Sequence, residues 1–162
     1  MERRDLLGVY LNDHLAGATA GSRLARRMAN AQAGPGPGLE RAAAEISEDR
    51  AALLEIMKQL GVPIRHYKVA AGWFAENTGR LKPNRHLLRR SPLSDLLELE
   101  ILRLGVEGKA AGWQTLRTVA DSDPGLGLDR DRLDELLHRA RTQAETLEKL
   151  RIQQAAELFG KG

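Results

Sequence analysis

The chain has 162 residues, of which 42% are hydrophobic and 29% charged, with a formal net charge of +3. That balance excludes a disordered chain and a membrane-spanning one, and the length suits a single domain with one core. Cys is absent, which excludes disulfides, thiolate chemistry and Cys-rich zinc sites.

Trp, Tyr and Phe occur twice each, and Ala and Leu dominate the apolar set. Both are strong helix formers. A β-sandwich would need far more Val, Ile, Thr and Tyr. The expected class is therefore all-α. The opening run Met1-Glu2-Arg3-Arg4-Asp5 leads into no apolar stretch of signal-peptide length. No segment approaches the ~18 apolar residues of a membrane helix. The expectation is a cytoplasmic bacterial protein. Arg greatly outnumbers Lys, a bias that GC-rich codon usage produces without any phosphate recognition.

The first helix is expected over 5–32. Leu7, Leu11, His14, Ala18, Gly21, Ala25 and Met28 repeat at spacings of three and four, which makes one apolar seam. The seam is rich in Ala and Gly, so a neighbour could approach closely. Ala33-Gly34-Pro35-Gly36-Pro37-Gly38 breaks it. The second helix is expected over 39–60, with a seam of Leu39, Ala42, Ile46, Asp49, Leu53, Ile56 and Leu60, ended by Gly61-Val62-Pro63. The short connection makes these two an antiparallel hairpin.

The next segment differs. Tyr67, Ala70, Ala71, Trp73 and Phe74 predict a short helix over 64–77. A basic stretch follows, with Arg80, Lys82, Arg85, His86, Arg89 and Arg90 and no acid among them. Ser91-Pro92 then opens a third helix over 92–120, since Ser is a good N-cap and Pro fits the first helical position. Asp121-Ser122-Asp123-Pro124-Gly125 stops it. Asp129 caps a fourth over 130–159, with a seam of Leu133, Leu137, Ala140, Ala144, Leu147, Gln154 and Leu158 interrupted by Arg151. Helices of this size span roughly 33 to 45 Å at ~1.5 Å per residue.

Hairpin, long crossover, hairpin is a plan that resembles the ferritin-like superfamily, a four-helix bundle with one long crossover containing here a short helix. The resemblance covers the whole chain but lives in architecture, not in a motif. It implies a di-metal site built from two Glu and two Glu-x-x-His pairs, with iron or manganese as cofactor. The chain has one such pair, Glu135 and His138, and on a helical wheel both point away from the seam. The second helix offers Glu45, Glu48 and Asp49 without His, which departs from the oxygen-activating pattern and leaves an all-carboxylate site for a harder ion.

Polar residues in or beside the seams are the remaining candidates. His14 lies in the first seam, either as a neutral hydrogen-bonded core residue or as a ligand contact. Asp49 and Arg50 flank the second seam, and Asp49 is expected to pair with Arg26, Arg27 or Arg50 of the hairpin, because a lone buried carboxylate is costly. Level-matching across the hairpin puts His14 and Asp49 roughly 10 Å apart along the axis. In the third helix, Leu93, Leu97, Glu100, Leu104, Glu107, Ala111 and Gln114 share one side. Leu99, Val106, Ala110 and Trp113 share another. Glu100 and Glu107 are thus candidates for the interior, and Gly105, Gly108 and Gly112 predict close packing.

The sequence thus predicts a binding or interaction protein more than an enzyme. The enzyme alternative is a carboxylate metal site of Glu45, Asp49 and Glu107. A polyanion, nucleic acid or anionic surface at the basic stretch is a further alternative. A homodimer packed through the small-residue seam is another expectation. No nucleophile motif, phosphate loop or dinucleotide fingerprint is present.

Overall fold

The computed structural model describes residues 3–31, 36–65 and 91–160. They form four long helices, α1 (Arg3–Ala29), α2 (Pro37–Gln59), α3 (Pro92–Ser122) and α4 (Arg130–Phe159), with a 3-10 turn at Pro124–Leu126. No strand occurs among the described residues. Each expected helix of the two hairpins is present, with ends shifted by up to three residues. Val62 to Arg65 are not helical, and the rest of the expected short helix lies outside the described residues. So do Arg80, Lys82, Arg85, His86, Arg89 and Arg90.

Local chemistry explains the boundaries. Pro37 and Pro92 sit in the first turns of α2 and α3, where a missing N–H costs nothing. The Ser91 hydroxyl accepts from the Ser94 N–H at 3.2 Å, and Asp129 Oδ1 accepts from the Arg132 N–H at 3.0 Å. At the end of α2, Gly61 takes a φ of 66°. That left-handed turn lets the Gly61 N–H reach Lys58 O at 3.1 Å and the Val62 N–H reach Met57 O at 2.9 Å. These two bonds are a Schellman motif, which satisfies the last carbonyls.

α1 packs on α2 and α3, and α4 packs on the same two helices from the other side. Side-chain contacts set the directions. Ser22 meets Ser47 and Thr19 meets Arg50 between α1 and α2. Tyr10 meets Thr115 and Arg27 meets Glu98 between α1 and α3. Gln143 meets Glu45 and Arg139 meets Glu48 between α2 and α4. Rising numbers on one helix meet falling numbers on the other in each case, so all these neighbours are antiparallel. The diagonal pair α2 and α3 must then be parallel, with Leu60 and Ser91 at opposite ends of the bundle.

The apolar interior is split in two. One cluster gathers Leu11, Leu53, Met57, Trp113, Leu116 and Leu136. The other gathers Leu24, Met28, Leu39, Ile46, Leu99 and Leu147. Each fully buried Leu or Met stabilises the fold by about 1.5–3 kcal/mol. Between the clusters lies a polar layer. Asp49 sits on α2 between Ile46 and Leu53, Lys109 on α3 between Val106 and Trp113, and Gln143 on α4 between Ala140 and Leu147.

The buried faces resolve two expectations. On α3 the side bearing Leu99, Val106, Ala110 and Trp113 is buried, and Leu104, Glu107, Ala111 and Gln114 are exposed. Large apolar residues recur on the first of these sides, and on the second they alternate with carboxylates. On α1 the buried positions include Gly8, Asn12, Leu15 and Ser22, which rotates the seam away from His14. Asn12 is held inside because its amide donates to Gly8 O and Pro63 O while its carbonyl takes the Arg65 N–H.

Candidate functional site

Asp49 is the hub of the polar layer. Its side chain is 0% exposed, that of Lys109 13%, and that of Arg139 25%. The Lys109 ammonium donates to Asp49 Oδ2 at 2.5 Å, and it also donates to Gln143 Oε1. The Arg139 guanidinium donates to Asp49 Oδ1 and to Glu48 Oε2 at 3.0 Å. The Gln143 amide donates to Asp49 Oδ2 at 3.1 Å and to Glu45 Oε2 at 3.2 Å. Three helices thus fix one carboxylate. An unpaired charge here would cost several kcal/mol, about 3–5 on breaking such a pair. Burial pushes the Lys109 pKa below its ordinary value, and the Asp49 charge opposes that shift.

Asp49 therefore pairs with the other hairpin, not with the Arg residues of its own. Arg26 and Arg27 are exposed, Arg27 pairing with Glu98. Arg50 stands one residue round the helix and donates to Thr19 at 2.9 Å. Asp49 itself faces the bundle interior, where its partners come from α3 and α4. Glu45 is half-buried and shared between Gln143 and Arg41. Glu107 is on the outer surface beside Arg103, at 3.6 Å. Glu100 is partly exposed and lies 3.8 Å from Arg151. Neither reaches the interior, because the Leu99–Val106–Trp113 stripe turns inward instead. Glu135 and His138 are both exposed.

The three carboxylates Glu45, Asp49 and Glu107 are not brought together. Among the described residues no group of three His, Asp or Glu could hold a metal ion. The donor set beside Asp49 is an ammonium, a guanidinium and a carboxamide, so it does not fit a di-metal centre.

α1 contributes no charged group to the polar layer. Opposite Lys109 and Asp49 it presents Gly17, Ala18, Ala20 and Gly21, and α3 presents Gly105 and Gly108. A cavity of about 590 Å³ results, with these residues, Ile46, Asp49, Leu53 and Lys109 among its walls. The sequence predicts close approach at Gly21, Gly105 and Gly108, but a Cβ built on any of them, or on Gly17, would meet nothing within 4 Å. Of the α3 glycines only Gly112 is closely approached from α1, where a Cβ would lie 3.0 Å from the His14 ring. The His14 ring props α1 away from α3 there, and the small residues further along leave the gap open. His14 also stands edge-on to Tyr10, with ring centroids 4.5 Å apart. Burial lowers its pKa, with Asp13 opposing, which favours the neutral imidazole.

The cavity has surplus donors. Trp113 lines it and is 3% exposed. Its indole N–H is buried with no acceptor among the described residues. Lys109 and Gln143 are not among the candidates drawn from the sequence. Their spacing gives them away. Lys109 is three after Val106 and four before Trp113, and Gln143 is three after Ala140 and four before Leu147, so each completes a buried stripe.

Among the described helices none is long and apolar enough to cross a membrane. No family model, no curated protein and no solved structure matches the chain.

Proposed function

We propose that this chain is a ferritin-like helical-bundle binding protein, not an enzyme, and that it holds a small, largely apolar molecule between α1 and α3. The plan supports the ferritin-like reading: two antiparallel hairpins, with α2 and α3 parallel across a long connection. The observation that carries the binding reading is the cavity. At about 590 Å³ it falls within the ~300–1,000 Å³ of small-molecule sites, and it shares their mix of apolar walls and a few placed polar groups. The open face lies at Gly17, Gly105, Gly108 and Leu104, all exposed.

The di-metal alternative has little support from the donor set. Lys109 and Arg139 supply the positive charge that a metal would bring to Asp49.

The test is binding of N-phenylnaphthylamine, an uncharged apolar fluorophore. It should bind at one saturable site and raise the melting temperature, since a ligand specific to the folded state stabilises by about 2.7 kcal/mol at 100 times its Kd. The double variant Gly21→Leu, Gly105→Leu fills open space and also gains helix propensity, up to about 1 kcal/mol per site. It should stay folded and lose binding. Unchanged binding would put the site elsewhere.

A further inference from the structure

We propose that the molecule held between α1 and α3 carries one anionic group on its apolar body, and that Lys109 and Trp113 anchor that group against the polar layer. This deepens the binding reading and rests on it.

The hydrogen-bond balance of the layer sets the sign. Asp49 has about three of its four acceptor sites filled: Oδ2 accepts from Lys109 and Gln143, and Oδ1 accepts from Arg139. A cationic ligand could reach only the remaining site on Oδ1, beside the Arg139 guanidinium, which would repel it. The donors are in excess. An ammonium carries three N–H groups, and Lys109 uses two, toward Asp49 and Gln143. The third has no acceptor among the described residues. Trp113 adds an indole N–H in the same condition. The two residues are four apart on α3, so they neighbour each other on one helix face, and both line the cavity.

The charges within the layer balance one another. Asp49 faces two cations, Lys109 and Arg139. The further carboxylate on Arg139 is Glu48, which is 65% exposed and lies on the α2–α4 side, away from the cavity. Glu45, whose side chain is 21% exposed and which accepts from Gln143, balances the second cation, so the layer is neutral as a whole and the preference for an acceptor rests on the unused N–H groups at the cavity wall. Asp13 also lines the cavity but is exposed, where water and salt screen it. An acceptor bearing negative charge would take the free Lys109 and Trp113 protons. Such charge-assisted bonds are about twice as strong as neutral ones.

The experiment compares two fluorophores with nearly the same apolar body, anilinonaphthalene sulfonate and uncharged N-phenylnaphthylamine, titrated into the full chain. The wild type should bind the sulfonate at least tenfold tighter. Lys109→Met should remove that preference while leaving N-phenylnaphthylamine binding in place. Near-UV circular dichroism checks that each variant keeps a packed core. Equal affinity of the two fluorophores for the wild type, or a preference that survives Lys109→Met, overturns the proposal while the cavity stands. If Lys109→Met loses its packed core, Trp113→Phe decides. It removes one donor from a ring of similar shape, and should weaken the sulfonate several-fold without changing the uncharged dye. An unchanged sulfonate affinity would then overturn the proposal. Failure of both dyes to bind the wild type, or binding retained by Gly21→Leu, Gly105→Leu, overturns the cavity reading itself and this proposal with it.

Discussion

Replacing Asp49 by Asn changes one atom and leaves the shape of the polar layer intact, so its effect isolates charge. Asp49 is fully buried, and it receives an ammonium at 2.5 Å, the Arg139 guanidinium, and the Gln143 amide at 3.1 Å. The variant leaves Lys109 with no buried counter-charge. Arg139 keeps Glu48 at 3.0 Å and is a quarter exposed, so most of the loss falls on Lys109. Breaking one side of a buried pair costs about 3–5 kcal/mol, a large part of the ~5–15 kcal/mol that holds a domain folded. At roughly 2–4 °C per kcal/mol for a chain of this size, the melting temperature should fall by about 6–20 °C. Urea unfolding followed by far-UV circular dichroism measures the loss, with the slope on urea unchanged if only stability has moved. The paired replacement Asp49→Leu, Lys109→Met removes both charges and should recover much of the loss, because apolar substitutes for buried ion pairs are often neutral or better. A loss below about 1 kcal/mol for Asp49→Asn, the range of solvated surface pairs, would refute the argument that the layer is dry.

Two glycines one turn apart on α3 should respond in opposite directions. Gly108→Ala places its Cβ in open space and should stabilise by up to about 1 kcal/mol through helix propensity. Gly112→Ala brings a Cβ within 3.0 Å of the His14 ring and should be neutral or destabilising; thermal melts of both variants compare them directly. His14 itself should titrate below its ordinary value of 6.5, because burial disfavours the imidazolium. The unfolded chain then binds that proton more tightly than the folded one. The folded state is penalised in acid, and stability rises as pH climbs toward 6.5. His14→Phe should flatten that rise, as read from urea midpoints across the range, and an unaltered slope would mean that His14 is solvated.

Much of the helical framework was legible because its signals are local. Ser91-Pro92, Asp129 and Gly61 each act within a few residues of themselves, and the structure uses each as a cap or a turn. Helix faces were harder wherever two stripes competed. On α3 both the Leu93–Leu104 side and the Leu99–Trp113 side carry large apolar residues, and the carboxylates Glu100 and Glu107 on the first are what turn it outward. The partner of Asp49 was illegible for a different reason. Lys109 is 60 residues away in sequence and Arg139 is 90. No spacing rule within the first hairpin reaches them. The cavity was inverted by a sound local rule. Small residues permit close approach, but they do not compel it. The His14 ring against Gly112 holds the helices at a distance that Gly17, Gly21, Gly105 and Gly108 then leave unfilled.

The most direct measurement of whether the cavity holds an apolar anion is the indole N–H resonance of Trp113, assigned by its disappearance in Trp113→Phe. Titration with anilinonaphthalene sulfonate should move it saturably downfield as the buried proton gains an acceptor, and the Gly21→Leu, Gly105→Leu variant should show no such movement. A Trp113 resonance that stays in place at saturating dye would contradict the account.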